Sequence, residues 1–539
     1  MITHAASRLG IVVAACFIFG APAVGPAEAV ADERAAIPPE PLAAGQIFVR
    51  DVRITGNTVL SSETISEVAA PFVGRFLGAN DLETLRYRLT QEYVNRGYVN
   101  SGVVLPNQTV EDGLVTYQVI EGKLTGIDIT GTNWLSPNYV RTRLERGLTF
   151  PPNTFNIERR VQLLLQDPNI AQVSAELVPD VEQGDARLRA AVTEAKRYSL
   201  TASIANDEPP NVGSVHGELS GVVRDLTSLG DTLLLHYGRA YGVNDGGVSW
   251  TMPLTAADTA LNFHWDYNGA GVVSAAFSAL NISSTTITYG ASVSQPLYRT
   301  PEEALTLSMT LDQRASDTFL LNEPFSFTPG YVNGRASATI LRVGLDWVDR
   351  RTDHVLAGRS TLNRGLPIFG ATNSPQQPNA DFTYWLGQAQ YVHAFGDSQI
   401  VARGDLQLSG APLFPFEQLS IGGPDTVRGF PVNTVLVDNG ILLSLEARIP
   451  IARFQLPRIV NDETVLRVAP FVDFGSGWNT RRPTPNLHTL TSIGIGLLWA
   501  INETFSLQVY YGHGFEPIPN LGNSLQEDGI YFRIASTVF

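Results

Sequence analysis

The ten residues Leu466-Arg467-Val468-Ala469-Pro470-Phe471-Val472-Asp473-Phe474-Gly475 decide the fold of this chain. Side chains alternate sides along a strand, so Leu466, Val468, Pro470, Val472 and Phe474 share one face while Arg467, Ala469, Phe471, Asp473 and Gly475 share the other. If the apolar face meets lipid, Asp473 points into a lumen. The same alternation recurs from Tyr198 onward, broken by clusters of Gly, Asn, Asp, Ser and Pro. Leu261, Phe263, Trp265 and Tyr267 alternate with Asn262, His264, Asp266 and Asn268; Leu305, Leu307, Met309 and Leu311 alternate with Thr306, Ser308, Thr310 and Asp312; Phe505, Leu507, Val509 and Tyr511 alternate with Ser506, Gln508 and Tyr510. Polar inward and apolar outward over strands of about 9–11 residues is the pattern of a transmembrane antiparallel β-barrel. Residues 197–539 are assigned to it, and strands with connections averaging about 20–24 residues predict an even count of about 14 or 16. Trp265, Trp347 and Trp499 fall on outward positions, where they suit aromatic girdles at the membrane interfaces.

Composition agrees with strands rather than helices as the membrane element. The chain has 539 residues, 44% of them hydrophobic. Beyond the amino terminus no run approaches the roughly twenty apolar residues of a helical span. Residues 1–29 read as a secretory signal: Arg8 leads, Leu9 to Phe19 form the apolar core, and Ala27-Glu28-Ala29 is the cleavage site. Val13-Ala14-Ala15-Cys16 offers a lipoprotein-type site, but the apolar run continues past the cysteine through Phe17-Ile18-Phe19. Cys16 is the only cysteine, so the cleaved chain is expected to hold no disulfide and no thiolate metal site. A net charge of −15 speaks against a nucleic-acid partner, which favours a basic stripe. Residues 30–46, with Pro38, Pro39 and Pro41, read as a linker.

A second motif sits outside the alternating segments. Ile421-Gly422-Gly423-Pro424-Asp425 marks a turn or long loop, and Val427-Arg428-Gly429-Phe430 follows it. A loop arginine folded into a barrel would be an unpaired charge unless it met a carboxylate, which a guanidinium can grip with two parallel bonds. Asp473 is one candidate partner. Glu446 is the other, since Leu443, Leu445, Ala447 and Ile449 read outward while Ser444, Glu446 and Arg448 read inward. The residues alone leave that choice open. One arginine and one carboxylate in a lumen point to a transporter rather than an enzyme. No G-x-x-x-x-G-K loop, H-E-x-x-H helix or G-x-S-x-G elbow is present. The eight histidines are scattered, so neither a metal nor a cofactor is expected.

Ahead of the barrel lies an internal repeat. Ile54-Thr55-Gly56 and Leu60-Ser61 recur as Ile129-Thr130-Gly131 and Leu135-Ser136, a constant offset of 75 residues (129 − 54). In the first copy the pattern predicts a strand over Val49–Ile54, helices near Ser62–Phe72 and Asp81–Arg96 with Asp81 as N-cap, and strands over Gly102–Val110 and Leu114–Ile120. The first module is placed at residues 47–122 and the second at 123–196.

Gly56-Asn57-Thr58-Val59-Leu60, Tyr93-Val94-Asn95-Arg96-Gly97-Tyr98 and Val119-Ile120-Glu121-Gly122 resemble a POTRA domain of two-partner secretion transporters. The second module lacks the Gly-Tyr pair and rests on the offset repeat. With the barrel, the arginine motif and Phe471-x-Asp473-x-Gly475, residues 46–539 resemble the haemolysin secretion/activation proteins. The resemblance implies two periplasmic α+β domains and an outer-membrane barrel of 16 strands. It implies a large secreted exoprotein, handled in extended form, as partner. It also implies an arginine motif at the tip of a long extracellular loop folded into the barrel, with Arg428 paired to Asp473. The terminal Phe539 resembles the signal read by the barrel-assembly machinery. Many members carry a plug helix before the first module; Asp32 to Ile37 is too short for one, so a less firmly occluded pore is expected. The other reading is an assembly factor that inserts barrel proteins, although such factors usually carry more POTRA domains than two.

Overall fold

The computed structural model describes residues 45–275, 277–455, 463–501, 504–519 and 524–538. The signal segment, residues 30–44 of the linker and Phe539 lie outside them. The chain forms two compact units, Met1–Ala195 and Lys196–Phe539.

The first unit holds two modules of one topology. In the first, Asp51–Thr55 runs parallel to Leu114–Ile120, which pairs antiparallel with Gly102–Val104. Helices Ser62–Ala69 and Ala79–Asn95 cover the sheet, packing Leu85, Leu89 and Tyr93 against Val115, Tyr117 and Val119. In the second, Lys123–Thr130 runs parallel to Asp185–Glu194, which pairs antiparallel with Ile170–Pro179. Helices Pro137–Glu145 and Thr154–Leu164 bring Leu144, Ile157 and Val161 onto Leu188.

The repeated glycines have one shared cause. Gly56 and Gly131 follow the first strand of each sheet at φ +77° and +85°, and a Cβ there would lie 2.6 Å from Val119 O and 2.2 Å from Val192 O. The turn they open is clamped by a glutamate at the end of the central strand, Glu121 just past Ile120 in the first module and Glu194 in the second. Glu121 Oε1 accepts from Thr58 N–H at 2.6 Å, while Glu194 Oε1 accepts from the amides of Asn133, Trp134 and Leu135 at 2.8, 3.1 and 2.8 Å. Burial, with the Glu121 carboxylate beside it, pushes the Tyr93 phenol above its usual range. Glu194→Ala frees three backbone donors at once and is expected to cost the second module about 1–3 kcal/mol. Hydrogen exchange of the Asn133–Leu135 amides in the whole protein reads this; unchanged protection would rule out the clamp.

Three details differ from the sequence pattern. The N-cap of helix Ala79–Asn95 is Gly78, and Asp81 sits three residues later with its carboxylate accepting from Gly78 N–H at 3.0 Å. Asp81 therefore supplies the reciprocal half of a capping box. The strand expected over Gly102–Val110 stops at Val104, because Pro106 has no N–H to give a ladder. A short pair, Ile47–Val49 with Arg75–Leu77, was not signalled by the pattern. The joint between modules uses the Arg96-Gly97 turn: Thr154 N–H and Asn153 Nδ2 donate to Gly97 O and Arg96 O at 2.9 and 2.8 Å.

The second unit is a closed antiparallel barrel of sixteen strands among the described residues. It begins with Tyr198–Ala205 and closes when Ile530–Thr537 pairs back onto that strand at five positions, Arg533↔Ala205 through Thr537↔Thr201. Its outer surface is an apolar belt that includes Phe263, Trp265, Met309, Leu345, Leu445, Val472 and Ile495, all exposed. Phe471 and Asp473 are buried inward while Pro470 and Val472 are exposed, the register read from the sequence. Trp347 and Trp499 also sit on outward positions, each half-buried, with indole N–H groups on Glu303 Oε1 (2.9 Å) and Thr464 Oγ1 (3.4 Å). No helix of the described residues is long and apolar enough to cross a membrane.

Strands Ser398–Ser409 and Asn439–Gln455 are joined at the rim opposite Tyr198 by residues 410–438. This loop does not stay outside. After the turn Pro415–Glu417 it forms a small hairpin, Leu419–Ile421 with Val435–Val437. Ile421, Val427, Phe430 and Val437 pack with Leu442 and Leu490 of the inner wall.

Candidate functional site

At the end of that hairpin Arg428 is among the largest fully buried side chains of the protein, with 2% of its side chain exposed. Burying an unpaired guanidinium costs several kcal/mol, about enough to undo a loop, so its partners decide whether the position is tenable. Asp473 meets it side-on: Nε donates to Oδ2 and Nη2 to Oδ1, both at 2.8 Å, and Arg428 N–H donates to Oδ2 at 3.0 Å. Nη1 donates to Glu446 Oε2, and Nη2 also reaches Ser444 Oγ at 3.2 Å. The open choice between Asp473 and Glu446 resolves as both. Arg448 Nε donates to Glu446 Oε1 at 2.7 Å, so two cations face two carboxylates and the cluster is neutral. The guanidinium lies 3.5 Å from the Phe471 ring centroid and 4.8 Å from that of Tyr510. These faces accept a delocalised cation and exclude water from the ion pair.

The wall is shaped to receive the tip. Cross-strand pairing sets Ser444, Asp473, Ser492 and Gly514 in one row, and Glu446, Phe471, Gly494 and Gly512 in the next. The first two strands supply charge and the last two supply space. A Cβ on Gly512 would come within 2.7 Å of Gly429 N, one on Gly514 within 2.4 Å of the Phe430 ring, and one on Gly475 within 2.5 Å of Ile421. Gly429 itself has φ +97° and would press a Cβ 3.0 Å from Gly514 N. Tyr531, on the last strand, completes the seat: its hydroxyl accepts from Gly429 N–H at 3.0 Å and donates to Phe430 O at 2.7 Å. Tyr531→Phe leaves both backbone groups without that partner and is expected to loosen the tip by about 1–3 kcal/mol. Faster hydrogen exchange at Gly429, with barrel amides unchanged, is the expected reading.

Every residue singled out in the two sequence motifs, Val427, Arg428, Gly429, Phe430, Phe471, Asp473 and Gly475, lies in this one contact region, as does Glu446. Sequence reasoning missed Tyr510, Tyr531 and the glycines 494, 512 and 514. The glycines had a visible signal: inside an alternating strand, glycine marks a close approach of another backbone. Among the described residues, one cluster of side chains could hold a metal. Asp353, His354 and His393 bring donor atoms within 4.8 Å of one another, at the rim near Tyr198 and away from the loop. The directly paired strand positions of His354 and His393 create it, which their separation in sequence conceals.

The comparisons with known proteins bear on this geometry. The model of the haemolysin secretion/activation protein family ShlB/FhaC/HecB matches residues 184–498, and the model of the ShlB-type POTRA domain matches residues 47–122. The chain belongs to the haemolysin secretion/activation protein family. Its barrel accordingly lies in the outer membrane and its POTRA domains in the periplasm. Among curated relatives, the outer membrane transporter CdiB of Dickeya dadantii is 21% identical, over 71% of this chain and 68% of its own. The heme/hemopexin transporter protein HuxB of Haemophilus influenzae is 23% identical, over 87% of this chain and 82% of its own. The solved structure of CdiB from Escherichia coli superposes with a TM-score of 0.68 at 20% identity, covering 93% of each chain. The family is one of protein transporters of two-partner secretion, not an enzyme class.

Proposed function

We propose that this protein binds one large secreted polypeptide in extended form at its POTRA domains and passes it through the barrel, with residues 410–438 as the gate. The observation that carries the reading is Arg428, buried inside the lumen on a loop and fastened by Asp473 and Glu446. A charged loop so placed narrows the polar path, and a lock made of ion pairs releases as a unit when the loop moves. Val427 to Phe430 and Phe471, Asp473 and Gly475 form the lock, with Glu446 as the second carboxylate. For recognition, the ten-residue edge strand Ile170–Pro179 offers a backbone ladder to an extended peptide. No ATP is available in that compartment, so folding of the exported chain outside supplies the direction.

Quantitative proteomics of culture medium and outer membranes, from cells with and without the gene, tests the proposal. Loss of one or two large polypeptides from the medium, with other barrel proteins intact, is the expected result. A broad fall in outer-membrane barrel proteins would replace the proposal with the assembly-factor reading.

A further inference from the structure

The loop is fastened at a second place, on the other side of the lumen. Glu417, in the turn Pro415–Glu417 near the start of the loop, has 2% of its side chain exposed. Its carboxylate accepts from Arg342 Nη1 and Nη2 (both 3.0 Å), from Arg314 Nη1 (3.1 Å) and from Tyr384 Oη (2.6 Å). Arg314 Nη1 also donates to Phe416 O at 2.6 Å. Asp312, which accepts from Arg342 Nε at 2.8 Å, is in turn met by His264 Nε2 at 3.1 Å. These wall residues stand on Ala260–Gly271, Glu303–Leu320, Arg335–Arg350 and Thr383–Phe395, none of which carries a partner of Arg428. Beside Glu417, the loop packs Leu413 and Phe414 onto Ala336, Ala338 and Phe382.

We infer that the Glu417 and Arg428 clusters are separate locks on the loop, and that Glu417 is a positioning residue holding the base as a pivot while the Arg428 lock frees the tip. The inference rests on the reading of residues 410–438 as a gate. The two charge clusters share no residue and draw on different strands, so energetic coupling between them has no direct contact to run through. A bidentate arginine on a buried carboxylate with a tyrosine hydroxyl is costly to break from either side. The base therefore keeps its place when the tip leaves, and the freed segment is the stretch after Glu417 rather than the whole loop. Nothing in the residue pattern signals this pair, because Glu417 and Arg342 lie far apart and neither belongs to a recognisable motif.

The test uses purified full-length protein carrying Cys16→Ser and one reporter cysteine, Leu413→Cys for the base or Val427→Cys for the tip. Both positions are fully buried, so a polar thiol reagent reads local opening. Glu417→Gln is expected to speed labelling of the base reporter about tenfold and of the tip reporter less than about twofold; Arg428→Ala is expected to do the reverse. If either substitution speeds both reporters alike, the loop has one lock and the inference fails. It fails equally if Glu417→Gln moves neither reporter. Should Glu417→Gln not reach the membrane, Arg342→Gln removes two of the four bonds to the Glu417 carboxylate from the wall side and carries the same expectations. Labelling needs no exported substrate. A separated response with export unaffected would thus sink the gate reading while leaving the two locks standing.

Discussion

Arg428→Ala is expected to leave a correctly assembled barrel in the outer membrane, to raise its ion conductance and to lower export at least about tenfold. The wall strands pair through their own backbones, so the barrel does not need the loop in order to close. The loop does need the arginine. Removing it leaves the buried Asp473 with no cation and Glu446 with Arg448 alone, and breaking a buried pair from one side costs about 3–5 kcal/mol. That exceeds the roughly 1.4 kcal/mol needed to shift the tip population tenfold. Arg428→Lys should fall nearly as far, because a lysine ammonium cannot reproduce the side-on pair that Nε and Nη2 make with Asp473. Asp473→Asn should be worse than Glu446→Gln, since Asp473 accepts three bonds from Arg428 and Glu446 accepts one. Planar-bilayer recordings and export of the cognate polypeptide measure both quantities. Wild-type conductance and export in Arg428→Ala would remove the lock from the mechanism.

Gly512→Val should reproduce that phenotype without altering a single charge. The valine Cβ would stand 2.7 Å from Gly429 N and 2.9 Å from Arg428 C, where the wall itself is backbone and has nothing flexible to yield. Overpacking of this kind costs about 1–3 kcal/mol, and here the loop tip is the part that can move. Export is expected to fall about tenfold, the conversion of about 1.4 kcal/mol. Gly221→Ala is the matched control: a Cβ there meets nothing within 4 Å. Equal export by Gly512→Val and Gly221→Ala would show that the close seating of the tip has no bearing on transport.

How much of this was legible beforehand follows from the kind of information each feature needs. The barrel was readable because a period of two, repeated over many strands, is a local property; Leu466 to Gly475 alone set the inward face of Asp473. The loop was readable because Gly422, Gly423 and Pro424 forbid a continuous strand. The identity of Arg428's partner was not, since Asp473 and Glu446 both face inward and only cross-strand register brings them to one guanidinium. Tyr531 and Gly512 were hidden for a related reason: their roles come from a backbone about a hundred residues away in sequence. Asp81 was misplaced by three residues because an aspartate scores as an N-cap and as the return half of a capping box alike. Pro106 shortened a strand whose apolar alternation would have carried it further.

The seam where the barrel closes has only five paired positions among the described residues, the shortest ladder between neighbouring barrel strands. The loop tip is bonded beside it. Tyr531 of the last strand holds Gly429 and Phe430, while Gln526 accepts from Val432 N–H at 3.0 Å and donates to Asn206 O and Glu208 O, just past the first strand, at 2.6 and 2.8 Å. Withdrawing the tip therefore also takes away a brace from the place where the circumference of the cylinder is decided. Bore and occlusion are then one mechanical variable: under the proposed gating, a chain that displaces the arginine also loosens the hoop around itself.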